Sequence, residues 1–280
     1  MSEPVSDLSQ FRTAFLYQLR SYLRTWRFVG LLIFVALVAT AILAVQLHRG
    51  IDAVTGNNPS ATDYLTGYLS TMVDAIVITA AFLGGDALAV DLGGGPGYLM
   101  LAQPVRRRTL LAGRFLAASV TGLAIGLVYY AYAVVAVVYF YGNVPGALGL
   151  SIGIAFLFLL ASLAIAFFFS SFFRNPTVSI VASLLILIIG FPLLTSIGDL
   201  SGVEPWFSLD YGGGAITSVL STNFVHETTM HLGGAGARGT SITLYSFSPY
   251  PWEGAVILTV YILVFLTLTF LVYRYREVKG

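Results

Sequence analysis

The sequence predicts an all-α membrane protein with six transmembrane helices, an N-terminal amphipathic interfacial helix and a short cytoplasmic helix between the second and third spans. Three observations support this fold class. The 280 residues are 57% hydrophobic and only 10% charged, whereas soluble domains average about 25% charged residues. The apolar residues form separate runs long enough to cross a hydrocarbon core of about 30 Å. Most basic residues lie in connections on one side of these runs.

Residues 1–27 form the predicted interfacial helix. Apolar side chains that recur every three or four positions share one helix face. These side chains are Leu8, Phe11, Phe15, Leu19, Tyr22 and Trp26. Arginines lie between them, which suits a helix in the headgroup region with its apolar face toward the lipid. A flexible basic tail is the alternative. The following apolar run is too long for a cleavable signal peptide.

The transmembrane domain is predicted to cover residues 28–273. Its six spans are 28–47, 66–90, 116–141, 147–173, 177–197 and 254–273. The third helix is expected to begin near Thr109, which can cap it, and Pro192 is expected to kink the end of the fifth. A polar external segment, 199–253, precedes the last span, and residues 274–280 form a short cytoplasmic tail.

The basic residues give the orientation. An even number of spans places both termini on one side, and 12 of the 14 basic residues lie there. Arg49 and Arg238 are the two exceptions. By the positive-inside rule the face with twelve basic residues is cytoplasmic. The preference for Arg over Lys is typical of GC-rich prokaryotes, so we expect a multi-pass protein of a prokaryotic cytoplasmic membrane.

The polar stretch after the second span has the features of a short surface helix. Gly93–Gly95 free the backbone, and Pro96 suits the first helical position because its missing N–H costs nothing there. Pro104 ends the helix, and Arg106–Arg108 mark the water side. Asp86, at the end of the preceding span, is expected to meet these arginines. An ordinary connecting loop is the alternative.

This order of elements resembles the membrane (permease) subunits of the type-2 ABC transporter family. In topology the resemblance covers nearly the whole chain, and in residues it is concentrated between Gly84 and Phe115. The positions that match the family's cytoplasmic pattern are Asp86, Ala87, Leu88, Asp91, Gly95, Leu99, Met100, Leu101, Pro104, Val105, Arg107 or Arg108, Gly113 and Arg114. The sequence departs from the pattern where Gly93-Gly94 replace an acidic run and Pro96 replaces a Thr.

The resemblance implies that the short helix is a coupling helix that docks into a cleft on a separate ATPase (nucleotide-binding) subunit. The expected coupling residues are Asp91, Gly95, Pro96, Tyr98, Leu99, Leu101, Pro104 and Arg107. The resemblance also implies a second permease subunit, identical or related, and transport that is mostly export. A Walker A loop needs a lysine after its glycines, and the sole lysine is Lys279. We therefore expect no catalytic residues and no bound cofactor in this chain, with ATP and Mg²⁺ on the partner. We also expect contacts with membrane lipids and no binding of nucleic acid.

Polar residues inside the spans are candidates for the substrate path. Asp74 lies well within the second span, where a charge is costly and usually functional. It is expected to line the path or to pair across a dimer. The alternative is a hydrogen bond to Thr71 or Thr79 within a helix contact. Tyr129 and Tyr132 either line a path for an amphiphile or pack with their hydroxyls bonded to neighbouring helices.

The external segment is expected to be flexible because of its glycine runs, 212–214 and 233–239, although the resemblance suggests short helices in part of it. No metal site is predicted, because the zinc-protease motif needs histidines at i and i+4. Counted from His226, position i+4 is Met230. The weak candidates for an outer-face metal are His226, Met230 and His231. Two solvated histidines are the alternative.

Three other functions compete with the permease interpretation. A secondary transporter usually shows an internal repeat and coupling-ion residues at mid-membrane, and this sequence offers only Asp74 and no repeat. A membrane-embedded enzyme needs several polar groups at one depth, but all 3 histidines lie outside the spans. A membrane component of an ABC system for copper-enzyme maturation would suit the outer His and Met residues.

The orientation can be tested with single cysteines, because the chain contains none. Gly236→Cys should react with an impermeant maleimide added outside intact cells, because the positive-inside rule places the 199–253 segment there. Gly280→Cys should react only after the cells are opened. The opposite labelling pattern would overturn the orientation.

Overall fold

The computed structural model describes residues 7–49, 60–92, 107–221, 224–232 and 242–275, and the structural statements below concern those residues. The helices are α1 Asp7–Arg24, α2 Trp26–Arg49, α3 Ala61–Leu69, α4 Met72–Gly84, α5 Ala89–Leu92, α6 Arg107–Tyr141, α7 Leu148–Phe172, α8 Pro176–Leu185, α9 Phe191–Ser201, α10 Leu209–Ser218 and α11 Pro251–Tyr275. A π-helical turn, Ile186–Gly190, joins α8 to α9. The strands β1 Glu227–Leu232 and β2 Ile242–Phe247 form an antiparallel hairpin.

Six helical segments are long and apolar enough to cross a membrane, which confirms the predicted all-α fold class in the part of the chain described. They are Trp26–His48, Ala61–Gly84, Arg108–Tyr141, Leu148–Phe172, Pro176–Ser201 and Pro251–Tyr275. The second span ends at Gly84 rather than at residue 90 and begins at Ala61 rather than at residue 66. The early start is due to a capping box, in which the Ser60 hydroxyl accepts from the Asp63 N–H and the Asp63 carboxylate accepts from the Ser60 N–H.

The second and fourth spans form the centre of the bundle. In each of them 61% of the most apolar stretch is buried, against 17% in the first and fifth spans and 11% in the sixth. The inner end of α4 lies so close to α7 that a Cβ at Gly84 would stand 2.8 Å from the Ala166 Cβ. Small residues permit such close approach of helices in membranes. The outer ring of spans therefore presents its apolar side chains to lipid or to another subunit.

The N-terminal segment is helical, as predicted, and α1 packs against the foot of α6. A Cβ at Gly113 of α6 would stand 3.2 Å from the Ala14 Cβ and 3.2 Å from the Phe15 backbone nitrogen. Phe11 of α1 and Phe270 of α11 line one apolar groove beside this contact. The α1 helix is thus packed directly against the third span.

The fifth span is irregular at the point where Pro192 was expected to disturb it. The irregularity is the π-helical turn that ends at Gly190, and Pro192 follows in the first turn of α9. Proline cannot donate to the carbonyl four residues earlier and its ring clashes with that carbonyl. A π turn inserts one additional residue per turn and so relieves the clash.

The external segment is more ordered than its glycines suggest, and the expectation of flexibility at Gly212–Gly214 is wrong. These three glycines lie in α10, and a Cβ at Gly213 would stand 2.8 Å from the Phe158 ring of α7. Their small size lets a short helix enter between the fourth and sixth spans. The other glycine run, 233–239, lies outside the described residues.

Candidate functional site

The inner end of the second span is held by side chains from four other helices. Helix α4 ends at Gly84, and the chain turns before α5 begins at Ala89. Tyr22 of α1 donates to the Leu83 carbonyl at 2.8 Å. Arg114 of α6 donates to the Ala87 carbonyl at 2.6 Å.

The amide groups of the same turn are also paired. The Leu88 and Ala89 N–H groups donate to the Ser170 hydroxyl of α7 at 2.8 and 3.0 Å. Unpaired backbone groups are costly inside a membrane protein, so these bonds stabilise a non-helical turn that would otherwise be unfavourable. We call this segment, Leu83–Ala89, with its four side-chain partners Tyr22, Arg27, Arg114 and Ser170, the inner junction.

The fourth partner, Arg27 of α2, forms an ion pair with Asp86. The expectation that Asp86 meets Arg106–Arg108 is wrong for Arg108, which is the member of that cluster whose side chain the structure describes. The Asp86 side chain is 9% exposed and the Arg27 side chain 53% exposed. Arg108 instead lies over the Phe270 ring, with its guanidinium carbon 4.9 Å from the ring centre. The side chain of Arg107 and all of Arg106 lie outside the description.

A cavity of about 400 Å³ opens beside the inner junction and is bounded by α1, α2, α4 and α6. Its polar lining includes Gln18, Ser21, Tyr22, Arg27, Asp86 and Arg114. Burial raises the pKa of Tyr22 to about 12, against the lowering effects of a Gln18 hydrogen bond and of the charges on Arg114 and Arg27. Tyr22 therefore remains a neutral hydrogen-bond donor at physiological pH.

Most of the predicted coupling residues cannot be assigned a structure. Gly95, Pro96, Tyr98, Leu99, Leu101 and Pro104 lie outside the described residues. The backbone of Asp91 is in α5 and that of Arg107 begins α6. The two ends of the predicted coupling segment are thus described. Its first end, at Asp91, follows the inner junction, and its second end, at Arg107, begins the helix of the third span.

Asp74 of α4 is exposed on the surface of the single chain. The two threonines proposed as its alternative partners bond elsewhere. The Thr71 hydroxyl lies 2.5 Å from the Tyr129 hydroxyl, and the Thr79 hydroxyl donates to the Ala75 carbonyl at 2.8 Å. The role of Asp74 in a substrate path or in pairing across a dimer stays a prediction.

The tyrosines of the third span differ in position. Tyr129 is fully buried, and its hydroxyl donates to the Tyr68 carbonyl at 2.9 Å, at the break between α3 and α4. Tyr132 is half-buried. The Tyr129 hydroxyl thus pairs with backbone freed by the break in the second span, and the role of both tyrosines in a substrate path stays a prediction.

A second carboxylate lies near Asp74. Burial raises the pKa of Asp210 in α10, a hydrogen bond with Thr195 lowers it, and the charges of Asp74 and Asp199 raise it further. The short helix α10 therefore brings an acidic side chain toward the polar side of α4. Sequence reasoning did not anticipate this arrangement, because the two residues are far apart in the chain.

His226, a predicted candidate for an outer-face metal ligand, lies just before β1, at the base of the hairpin. Its neighbours are the carboxylates of Glu204 and Glu253, from the α9–α10 connection and the first turn of α11. The backbones of Met230 and His231 lie in β1, opposite Leu244 and Thr243. The side chains of Met230 and His231 are not described, so their role as metal ligands is untested.

These features define the class of protein: a multi-pass helical membrane protein with a tightly bonded junction at one end of its second span. The chain belongs to the ABC-2 transporter family, since residues 15–278 match the family described as ABC-2 family transporter protein. It is therefore a transporter membrane component of the ABC permease type. Membrane subunits of this family generally work with ATPase subunits. Among curated proteins, none matches the chain.

The ion pair at the inner junction can be tested by a double-mutant cycle. Arg27→Gln should lower the free energy of unfolding by about 1–2 kcal/mol, because it leaves the nearly buried Asp86 carboxylate unpaired. Asp86→Asn should cost less, about 0.5–1 kcal/mol, because the Arg27 side chain that it leaves is 53% exposed and solvated. The double variant should lose less than the sum of the two, by about 0.5 kcal/mol or more. Unfolding would be followed in detergent by denaturant titration.

Arg24→Gln is the matched control for this cycle, since Arg24 is exposed at the end of α1. It should change stability by less than about 0.5 kcal/mol. Strictly additive losses for Arg27→Gln and Asp86→Asn, or an equal loss for Arg24→Gln, would contradict the ion pair.

Proposed function

We propose that this chain is the permease subunit of an ATP-driven exporter, and that its 93–106 segment docks on a separate ATPase subunit. The observation that carries the proposal is the inner junction. It lies immediately before that segment, and four side chains bond it to α1, α2, α6 and α7. A push on the segment would thus reach four helices of the bundle at once.

The energy source in this proposal is a partner protein. A Walker A loop requires a lysine directly after its glycine-rich loop. The chain has one lysine, Lys279, and no glycine-rich loop precedes it. ATP and Mg²⁺ are accordingly assigned to the ATPase subunit. With twelve basic residues on one face, that face is the cytoplasmic side of a prokaryotic plasma membrane in this proposal, where ATP is present.

The substrate path is proposed to run along the exposed side of α4, between this chain and a second permease subunit. Asp74 supports this location, because a carboxylate that faces lipid would be strongly unfavourable. Asp210 and the half-buried Tyr132 would extend the polar surface. The second subunit, identical or related, would cover Asp74 and leave a water-filled gap.

Docking is tested by the double substitution Tyr98→Asp/Leu99→Asp. If these side chains are buried against the ATPase, each contributes roughly 1.5–3 kcal/mol to binding, and charged replacements should abolish co-purification of an ATPase that accompanies the wild-type chain. Membrane insertion should persist because the segment is not a span. ATPase recovery would be quantified at equal membrane abundance.

The matched control for docking is Val203→Asp, an apolar-to-acidic change at an exposed position of the external segment. It should leave ATPase recovery unchanged. The docking proposal fails if no ATPase accompanies the wild-type chain, or if the Tyr98/Leu99 variant retains as much ATPase as the control.

The path is tested by Asp74→Cys in the cysteine-free chain, in native membranes with the ATPase present. A maleimide reacts with the thiolate, which forms only where water reaches the sulfur. Asp74→Cys should therefore be labelled by a water-soluble maleimide. Leu263→Cys, at an apolar position of α11 that is 63% exposed in the single chain, should remain unlabelled in lipid. Equal inertness of both cysteines would place Asp74 away from water and contradict the path.

A further inference from the structure

The outer-face cluster of Glu204, His226 and Glu253 has the geometry of a metal site. Each residue offers one ligand atom, and these three atoms lie within 4.8 Å of one another. The three residues come from different segments: the α9–α10 connection, the base of the hairpin, and the first turn of α11. Their approach is a product of the fold, since 22 residues separate Glu204 from His226 and 27 separate His226 from Glu253.

The tautomer of His226 leaves its other nitrogen available. The Nδ1 atom lies 2.9 Å from the Ser248 carbonyl oxygen. A carbonyl only accepts, so Nδ1 carries the proton and the neutral ring has its lone pair on Nε2. Metal-binding histidines are commonly oriented by such a bond from the non-ligating nitrogen to a backbone carbonyl. The Tyr250 ring, stacked on the imidazole at 4.9 Å between centres, fixes the ring plane.

The distance from Nε2 to the Glu204 carboxylate favours an ion between them. The Nε2–Oε2 separation is 3.6 Å, which is too long for an N–H···O hydrogen bond. Ligand atoms about 2.0–2.1 Å from a tetrahedral zinc ion lie roughly 3.3 Å apart. A small rotation of the Glu204 side chain, which is 35% exposed, would bring the pair to that distance.

Both carboxylates are also held in place by protein donors. The Tyr211 hydroxyl donates to Glu204 Oε1 at 2.5 Å, and the Tyr250 N–H donates to Glu253 Oε2 at 3.0 Å. The two carboxylates place negative charge beside Nε2 of His226, and a divalent cation would neutralise it.

We propose that Glu204, His226 and Glu253 bind a divalent transition-metal ion of the zinc class on the outer face, with water as the fourth ligand. One imidazole and two carboxylates suit Zn²⁺, whereas Ca²⁺ takes six to eight oxygen ligands. The ion would fasten the hairpin base to the α9–α10 connection and to the start of α11. Exposure of the site to the external medium rests on the proposed orientation of the chain, but binding to purified protein does not.

The test uses the full chain, purified in detergent and stripped of metal with a chelator. Titration calorimetry with Zn²⁺ should show one ion per chain, and the thermal midpoint should rise because only the folded state holds the site. His226→Gln and the double variant Glu204→Gln/Glu253→Gln should each bind Zn²⁺ at least about tenfold more weakly. His48→Gln, at the end of α2, is the matched control and should bind like the wild type.

Two further measurements keep the proposal open to refutation if a variant loses stability. Wild-type chain with Co²⁺ should show visible ligand-field bands that Zn²⁺ removes and that Ca²⁺ does not. His231→Gln should retain the Zn²⁺ site. The proposal is overturned if the wild type shows neither Zn²⁺ uptake nor Co²⁺ bands. It is also overturned if binding is lost with His231→Gln but kept by the Glu204/Glu253 double variant.

Discussion

The chain leaves helical geometry at the inner end of the second span, after Gly84, and backbone groups from Leu83 to Ala89 are paired with side chains from α1, α6 and α7. In a membrane protein such groups cannot rely on bulk water. The side chains of Tyr22, Arg114 and Ser170 therefore add to the backbone hydrogen bonds within the turn, such as that from the Ala87 N–H to the Gly84 carbonyl at 3.2 Å. Because those residues belong to three other helices, the requirement for backbone pairing also fixes how the helices stand relative to the second span.

The need to pair backbone groups also applies to the break in the middle of the second span, where side-chain hydroxyls supply the hydrogen bonds. Residues between α3 and α4 are outside regular helix, and the Tyr129 hydroxyl bonds to the Tyr68 carbonyl at 2.9 Å. Tyr68 in turn donates to the Ala39 carbonyl of the first span at 2.9 Å. The break lies within one helical turn of Asp74, so the bonding that stabilises it also sets the position of the one acidic side chain that α4 contributes.

The two ends of the bundle are built differently. At the inner end, close packing of Gly84 against α7 and the ion pair of Arg27 with Asp86 connect many helices around one turn. At the outer end, the glycines of α10 admit a short helix between spans, and the hairpin base brings His226 to two carboxylates. The two ends of the described bundle therefore differ in construction: side-chain bonds to a turn hold one end, and an inserted short helix and a hairpin form the other.

Local patterns in the sequence determined the number and approximate limits of the spans, the amphipathic α1 and the absence of a Walker A lysine. Hydropathy and helical periodicity are set by neighbouring residues along the chain, and a missing lysine is read from the sequence directly. These features could therefore be predicted without the tertiary structure. A local signal is also present for the start of the second span, because Ser60 and Asp63 have the spacing of a capping box. Only the tertiary structure decided that Asp86 meets Arg27 while Arg108 lies over the Phe270 ring, that the glycines of α10 are packing positions, and that Glu204 and Glu253 approach His226. Each depends on which helix faces meet across long stretches of sequence, and that is set by the packing of the whole bundle.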